Sequence, residues 1–499
     1  MSTSASSEDD VSPTLFARLL SEAGLSDTRF ARQVNLRARR QRRVELGLSR
    51  STVGHWRRGM RPRNPMVAEL AAAEISAAMG YPITPADFGW RGEQRTRHDL
   101  ELSIAGSPQE TLGILAGLSG RDVHRGGLLP EIPAFTATAF AQPALSSLTG
   151  IVARVEQASP SSPDRGQDPL DRGQDRARDS GDPTTSAAMI REVTASFRKL
   201  DARLGSREIR SHAVTFLHDR LRAVKNGPTS ADLCGAFGDL AQFSGWLSQE
   251  CEHQALAQRY YIQALGLAEH AGDAMLAGRV LAAMSDQTAW LGHPRQSLAL
   301  AITALDRAGP AATPLVAAML HDKHAWALAR TGDEGGCMAA LRELEKAVSR
   351  ATPGDGPVWA SHYNAGDVAE CQGHCLRLLG RPAQAERSLV ESRALQDPAR
   401  VRSRAYGEAD LALAFLQRPA PDLEGALEAA YHAVTLASGL SSARITAKLR
   451  ELDNAFAEHR TLATQRWRRA AAPLLAGGRH RQAAKPVPAG ADLSSTAPK

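Results

Sequence analysis

Between Leu15 and Ile75 the apolar residues return on one helical face: Leu15, Leu19, Phe30, Val34, Val53, Trp56, Val67, Leu70 and Ile75. Spacings of three and four residues put such side chains on one stripe of a 3.6-residue helix. The punctuation agrees with that period. Ser12-Pro13, Asn64-Pro65 and Thr84-Pro85 each set a capping oxygen ahead of a proline, whose missing N–H is harmless in a first helical turn. Ser26 and Ser49 are further caps, and Gly24, Gly59 and Gly80 stand where left-handed residues end helices. The pattern predicts helices over 13–23, 27–38 or beyond, 50–58, 65–79 and 85–89, hence a small all-helical domain spanning residues 12–90.

Residues 91–153 are weaker in pattern, with one helix expected at 108–118 inside an irregular connector. Over 154–186 the chain is charged, broken by Gly and Pro, and repeats DRGQD twice, the composition of a disordered linker. A loose spacer there is expected to separate the two halves of the molecule mechanically. From 187 to 475 the sequence is Ala-rich and helical with short turns, and it repeats. Aligned on Gly245, Ser285, Ala325, Gly373 and Ala414, the residues twelve further on are Ala257, Ser297, Cys337, Ala385 and Ala426, all small. Nineteen beyond the anchors stand Ala264, Ala304, Leu344, Ser392 and Ala433, and Gly292, Gly332 and Gly380 fall at turns. Small residues at these offsets let paired helices cross closely, as in the tetratricopeptide pattern, although the spacing here exceeds the usual repeat of about 34 residues. The fold expected is therefore all-α: an N-terminal helix-turn-helix domain followed by a tetratricopeptide-like solenoid of helix pairs. Residues 476–499 read as a disordered tail.

Charge sharpens this picture. The chain carries 60 basic and 54 acidic residues, a formal net charge of +6. Ser26 to Arg63 alone contains twelve arginines against Asp27 and Glu45, a net +10, so the remainder is negative at −4. A field confined to one short segment favours a polyanionic partner. Five cysteines show no disulfide framework, no apolar run of about 18 residues is present, and the opening MSTSASSEDD has no signal-peptide core. A cytoplasmic protein without membrane attachment is expected.

In a helix-turn-helix the second helix lays its N-terminal side chains on base edges in the major groove. Here that helix begins at the Ser49 cap. Val53 and Trp56 turn inward, which leaves Arg50, Ser51, Thr52 and His55 for bases. Arg50 can pair in bidentate fashion with guanine O6 and N7. Arg32, Arg39, Arg43, Arg57, Arg58, Arg61 and Arg63 are placed for phosphates, which position the protein without specifying sequence.

The stretches "LFARLLSEAGLSDTRFARQV" and "LGLSRSTVGHWRRGMRPR" resemble the phage-repressor type (XRE family) of DNA-binding domain. The resemblance rests on Gly24-Leu25-Ser26, Phe30-Ala31, and Ser49-Arg50-Ser51-Thr52-Val53 through Trp56 and Gly59; it implies base contacts from Arg50, Ser51 and His55. One departure is plain: the family's short turn is replaced by Asn35 to Leu48, with "LRARRQRR", so either the first helix is lengthened or a basic loop is inserted. The whole layout, with "FSGWLSQECEHQALAQRYYIQALGLAEHAGD" and "RITAKLREL", is similar to actinobacterial regulators that join such a domain to a tetratricopeptide-like half. That similarity implies a transcriptional regulator, a repressor of differentiation or secondary metabolism, and because one small helix-turn-helix module offers limited contact area, a homodimer on double-stranded DNA is expected.

On the first helix of each solenoid pair, the frame lines up Gln242, Trp246, Gln249, Arg279, Asp286, Asp322 and Lys323, followed by Trp326, Arg330, Asp367, Glu370, His374 and Arg377. Mixed charge with two tryptophans suits a peptide or protein partner, and a dimerisation surface is the alternative use. Cys371-x-x-His374-Cys375 lacks a fourth ligand at zinc-site spacing, so no metal or cofactor is expected. No GxxxxGK, HExxH or GxSxG occurs, which leaves an enzyme without support. The competing function is a scaffold acting through its solenoid, with a helix-turn-helix that does not bind.

Overall fold

The computed structural model describes residues 14–81, 83–90, 97–125, 133–149, 187–224, 229–352 and 354–476. Every regular element among them is helical. The first domain comprises α1 (Leu15–Glu22), α2 (Asp27–Arg42), α3 (Arg50–Arg57), α4 (Pro65–Met79) and a 3-10 turn, Pro85–Phe88. Side-chain oxygens of Thr14, Ser26, Ser49 and Asn64 accept the first free amides of the four helices. The Ser12-Pro13 cap lies outside the described residues. Phe16 is the centre of the core, with the rings of Trp90, Phe88, Phe30 and Trp56 at 5.0, 5.4, 5.7 and 5.9 Å. Each such pair adds about 0.5–1.5 kcal/mol beyond the area it buries.

Among the described residues the solenoid shows seven successive helix pairs: α8 (Ala187–Leu204) with α9 (Ser206–Val224), α10 (Ala231–Glu250) with α11 (Gln254–His270), α12 (Ala274–Trp290) with α13 (Pro294–Ala308), α14 (Pro314–Thr331) with α15 (Glu334–Val348), α16 (Ala365–Leu378) with α17 (Pro382–Leu395), α18 (Val401–Leu416) with α19 (Leu423–Ala437), and α20 (Ala443–Ala455) with α21 (Leu462–Ala476). From α10 onward the first helices stack on one another and form the inner layer. The expected small residues sit where the paired helices cross. Ser285 Oγ donates to the Ser297 carbonyl at 2.8 Å. A Cβ on Gly245 would lie 2.6 Å from the Tyr261 ring, and one on Gly373 would overlap Leu389 and stand 3.1 Å from the Ala385 carbonyl. Gly292, Gly332 and Gly380 take left-handed turns with φ of 85°, 77° and 72°, while Glu252 takes that place between α10 and α11 at φ 66°. The 48-residue interval between Ala325 and Gly373 comes from a short insertion before α16. That insertion carries Trp359 against Arg279 (4.5 Å) and Tyr363, whose hydroxyl donates to Asp322 (2.8 Å).

The stretch expected to be an irregular connector is built into the solenoid. It forms α5 (Arg97–Glu101), α6 (Pro108–Arg125) and α7 (Ala141–Thr149), and α6 packs on α9 and α11. Buried Glu101 accepts from Arg121 and from Arg259 (3.1 Å), and Asp122 accepts from Arg210 (2.6 Å) and the Tyr260 hydroxyl (2.9 Å). Gln258 donates to the Thr136 carbonyl at 2.7 Å. Because α7 and α8 both belong to the solenoid, the 154–186 segment joins two parts of it and does not separate it from the first domain. The expectation of a mechanical spacer between the halves is corrected accordingly. The linker and the 477–499 tail themselves lie outside the described residues. Tyr81 supplies the contact between the halves: its ring packs on Gly117, and the Arg121 guanidinium stands 5.6 Å from the ring centre.

The close crossings make a testable contrast between two helical glycines. Gly373→Ala forces a methyl group into Leu389 and should destabilise by about 1–3 kcal/mol. Gly407→Ala, with nothing within 4 Å of the added carbon, should stabilise by up to about 1 kcal/mol. Thermal unfolding followed by circular dichroism distinguishes the two; equal shifts would contradict close crossing at Gly373.

Candidate nucleic-acid interface and the concave face

Ser49 fixes the start of α3: its Oγ accepts from the Thr52 amide at 3.3 Å and lies 2.8 Å from Ser51 Oγ and 3.1 Å from Thr52 Oγ1. Val53 is fully buried and Trp56 is 5 % exposed. These two anchor the helix and turn Arg50, Ser51 and His55 to solvent, with Thr52 half-buried. α2 runs four residues past its minimum expected end, to Arg42, and closes on Arg43 in the left-handed region at φ 54°. Residues 43–49 then lead to α3 without regular structure. The departure from the short turn is thus a longer helix and a loop together. Asn35 holds that loop to α2: its Nδ2 donates to the Leu48 carbonyl at 2.8 Å, and its Oδ1 accepts from the Leu48 amide at 3.0 Å. Nothing in the apolar pattern marked Asn35 for this role.

Of the arginines expected at phosphates, Arg32, Arg43, Arg58, Arg61 and Arg63 are exposed. Arg39 pairs with Glu45 at 3.0 Å, with both side chains well exposed, so that pair is weak and exchangeable. Arg57 is different. Its Nε meets Asp27 at 2.8 Å, and its carbonyl accepts from the Thr14 hydroxyl at 2.9 Å. It ties α3 to α2 and α1, which makes it a structural residue of the domain.

The thirteen residues expected to line the inner face do stand on α10, α12, α14 and α16, but they form no open groove. Most meet one another or residues across the solenoid. Gln242 accepts from Arg198 (3.2 Å), Gln249 donates to Asp286 (3.1 Å), and Arg279 lies near Asp239 (3.5 Å). Lys323 pairs with Asp322 (3.1 Å), and Asp367 with Arg400 (2.6 Å). Arg330 alone of the set is exposed, lying over Trp326. The closure comes from the far end of the chain. Arg402 on α18 meets Asp201 on α8 at 2.8 Å, and Trp246 donates to that carboxylate at 3.3 Å. Ser442 and Arg444, at the start of α20, meet Glu250 on α10. Such partners, about two hundred residues apart, have no local signature.

At the centre of this face, Asp410 takes Arg377 (2.8 Å), Lys448 (3.0 Å) and His374 Nδ1 (2.6 Å). Trp326 Nε1 can only donate, and it donates to His374 Nε2, so His374 is neutral with its proton on Nδ1. Burial alone would raise the Asp410 carboxyl, but Lys448, Arg377 and His374 pull it well below the usual carboxylate range. His374 is thereby committed to Asp410 and Trp326, while the Cys371 and Cys375 sulfurs lie 4.0 Å apart. Glu370 behaves oppositely. Burial, reinforced by Asp367, pushes it up to about 8, and Gln396 donates to its Oε2 at 3.1 Å.

A carboxyl raised in the folded state contributes stability that is complete below its unfolded value and lost as pH rises through the folded one. The contribution of protonated Glu370 is therefore lost as pH rises from the ordinary carboxyl range to about 8, and levels off above it. Glu370→Gln keeps the shape of a neutral carboxyl and should gain melting temperature relative to the wild type between pH 6 and pH 9. Parallel pH profiles of the two proteins would show instead that Glu370 is already ionised at neutral pH.

None of the curated proteins matches the chain, and the family model described as the SP15 N-terminal domain matches residues 16–91, the aromatic-cored unit that carries α3.

Proposed function

We propose that this chain is a sequence-specific transcriptional regulator that reads double-stranded DNA through α3 and acts as a repressor. One observation carries the reading: Val53 and Trp56 anchor a capped helix whose opposite side exposes Arg50, Ser51 and His55 within the +10 segment. Arg58, Arg61 and Arg63 continue the exposed cationic surface beyond the helix end. A major-groove helix flanked by phosphate-binding arginines needs these elements. A single domain of this size offers little contact area, so two copies on two half-sites belong to the proposal, as does residence in the cytoplasm with the chromosome. The solenoid is the part assigned to pairing or to a protein or peptide partner. No catalysis and no cofactor enter this reading. In a second reading the solenoid is a scaffold and the first domain does not bind; the hydrogen-bonded hydroxyls of Ser51 and Thr52 beside Ser49 favour it.

The two readings separate by fluorescence anisotropy of the full chain on DNA selected from a random pool, compared with unselected DNA at several salt concentrations. Arg50→Ala should cost about 1–3 kcal/mol on the selected site and little elsewhere. Arg58→Ala should weaken both DNAs and lower the salt slope by about one. Arg57→Ala should leave the slope unchanged while lowering domain stability by about 0.2–1 kcal/mol, as befits a partly exposed ion pair. Equal losses on both DNAs for Arg50→Ala would remove direct readout, and salt-independent or absent binding by the wild type would leave the scaffold.

A further inference from the structure

Arg444 does more than close the ring. Its guanidinium carbon lies 5.4 Å from the ring centre of Trp246, 5.4 Å from Tyr406 and 5.9 Å from Trp290. The rings come from α10, α18 and α12, so three separate helices build one aromatic enclosure. Two carboxylates complete it: Glu250 at 3.8 Å and Asp286 at 3.6 Å, with side chains 0 % and 5 % exposed. Both distances fall within ion-pair reach but beyond a hydrogen bond. Glu250 Oε1 and Asp286 Oδ1 have no hydrogen-bond partner in the protein. Buried carboxylate oxygens ordinarily find donors. Arg402 shares the Trp246 ring at 5.1 Å and Lys448 the Tyr406 ring at 5.0 Å, but Arg444 is the cation common to all three rings, and Glu250 Oε1 and Asp286 Oδ1 stay without a hydrogen bond beside it.

Aromatic faces and paired carboxylates together favour a planar guanidinium over an ammonium. The guanidinium stacks on rings and offers several in-plane N–H donors, whereas an ammonium is compact and strongly hydrated. We propose that this enclosure is a guanidinium receptor occupied in cis by Arg444, and that the arginine side chain of a partner peptide is the ligand that exchanges with it. An incoming arginine that reaches Glu250 Oε1 and Asp286 Oδ1 makes the hydrogen bonds Arg444 does not. Exchange releases the start of α20 from α10 and α12, so ligand binding and loosening of the ring are one event. The enclosure lies wholly within the solenoid, so exchange there is independent of DNA binding by the first domain.

Full-length protein titrated with Nα-acetyl-arginine amide, and separately with the citrulline and lysine derivatives, tests the proposal through tryptophan fluorescence and melting temperature. Arg444→Ala should bind the arginine derivative with one site and melt higher in its presence, since a ligand of the folded state stabilises by mass action. The wild type should respond at concentrations about tenfold higher or more, because Arg444 competes. Citrulline, uncharged and of the same shape, should do nothing, and Asp286→Asn added to Arg444→Ala should abolish the response. Should Arg444→Ala fail to fold, Arg444→Lys, which keeps the cation, should be displaced by arginine more readily than the wild type. Equal effects of arginine and citrulline, or a wild type that never responds while the variant does, would overturn exchange and leave Arg444 a purely structural residue.

Discussion

Arg402 and Arg444 stand near the C-terminal end of the solenoid and meet Asp201, Glu250 and Asp286 near its beginning. An ionised group removed from water is costly unless a counter-charge and hydrogen bonds replace the solvent, and breaking one partner away leaves the other stranded. That requirement governs the inner face. Asp410 is tolerable at full burial only because Arg377, Lys448 and His374 converge on it from α16 and α20. The small residues at the helix crossings allow the pairs to stack; the buried charges decide that the stack turns inward and closes. An extended ribbon of the same helices would expose or orphan these groups.

Closure also changes how the two halves of the molecule relate. Helices α5 to α7 grip the outside of the solenoid through Glu101, Asp122 and Thr136. Tyr81 of the first domain meets Arg121, which meets Glu101, which meets Arg259 of α11. A continuous line of contacts therefore runs from the α3-bearing domain to the solenoid's outer layer. Only residues 91–96 separate the last described residue of that domain from α5.

Much of this was legible in the sequence where the governing interaction is local. The Ser49 cap, the inward pair Val53 and Trp56, and the glycine turns at Gly292, Gly332 and Gly380 all follow from neighbours within one helical turn. The crossing positions, from Ser285–Ser297 to Gly373–Ala385, followed from a period. What escaped was non-local. Asn35 reaches thirteen residues to clamp Leu48, and Arg57 turns back to Asp27, so each reads as an ordinary polar residue on a basic helix. The inner-face residues stand on the first helices of the pairs, and nothing local in the sequence announces that Arg402 and Arg444 reach back to Asp201 and Glu250. In the connector, Gly113, Gly117 and Gly120 break the helical pattern of α6 in the sequence, and Gly117 and Gly120 are small because Tyr81 and His218 approach them closely.

Mapping the DNA bound by this protein across the genome of its source tests most directly the proposal that the exposed side of α3 reads DNA sequence for a paired molecule. Discrete sites sharing a two-fold symmetric motif, with half-sites centred about one helical turn apart, are the expected result. Coverage that follows DNA abundance with no shared motif, or no recovered DNA at all, would contradict it.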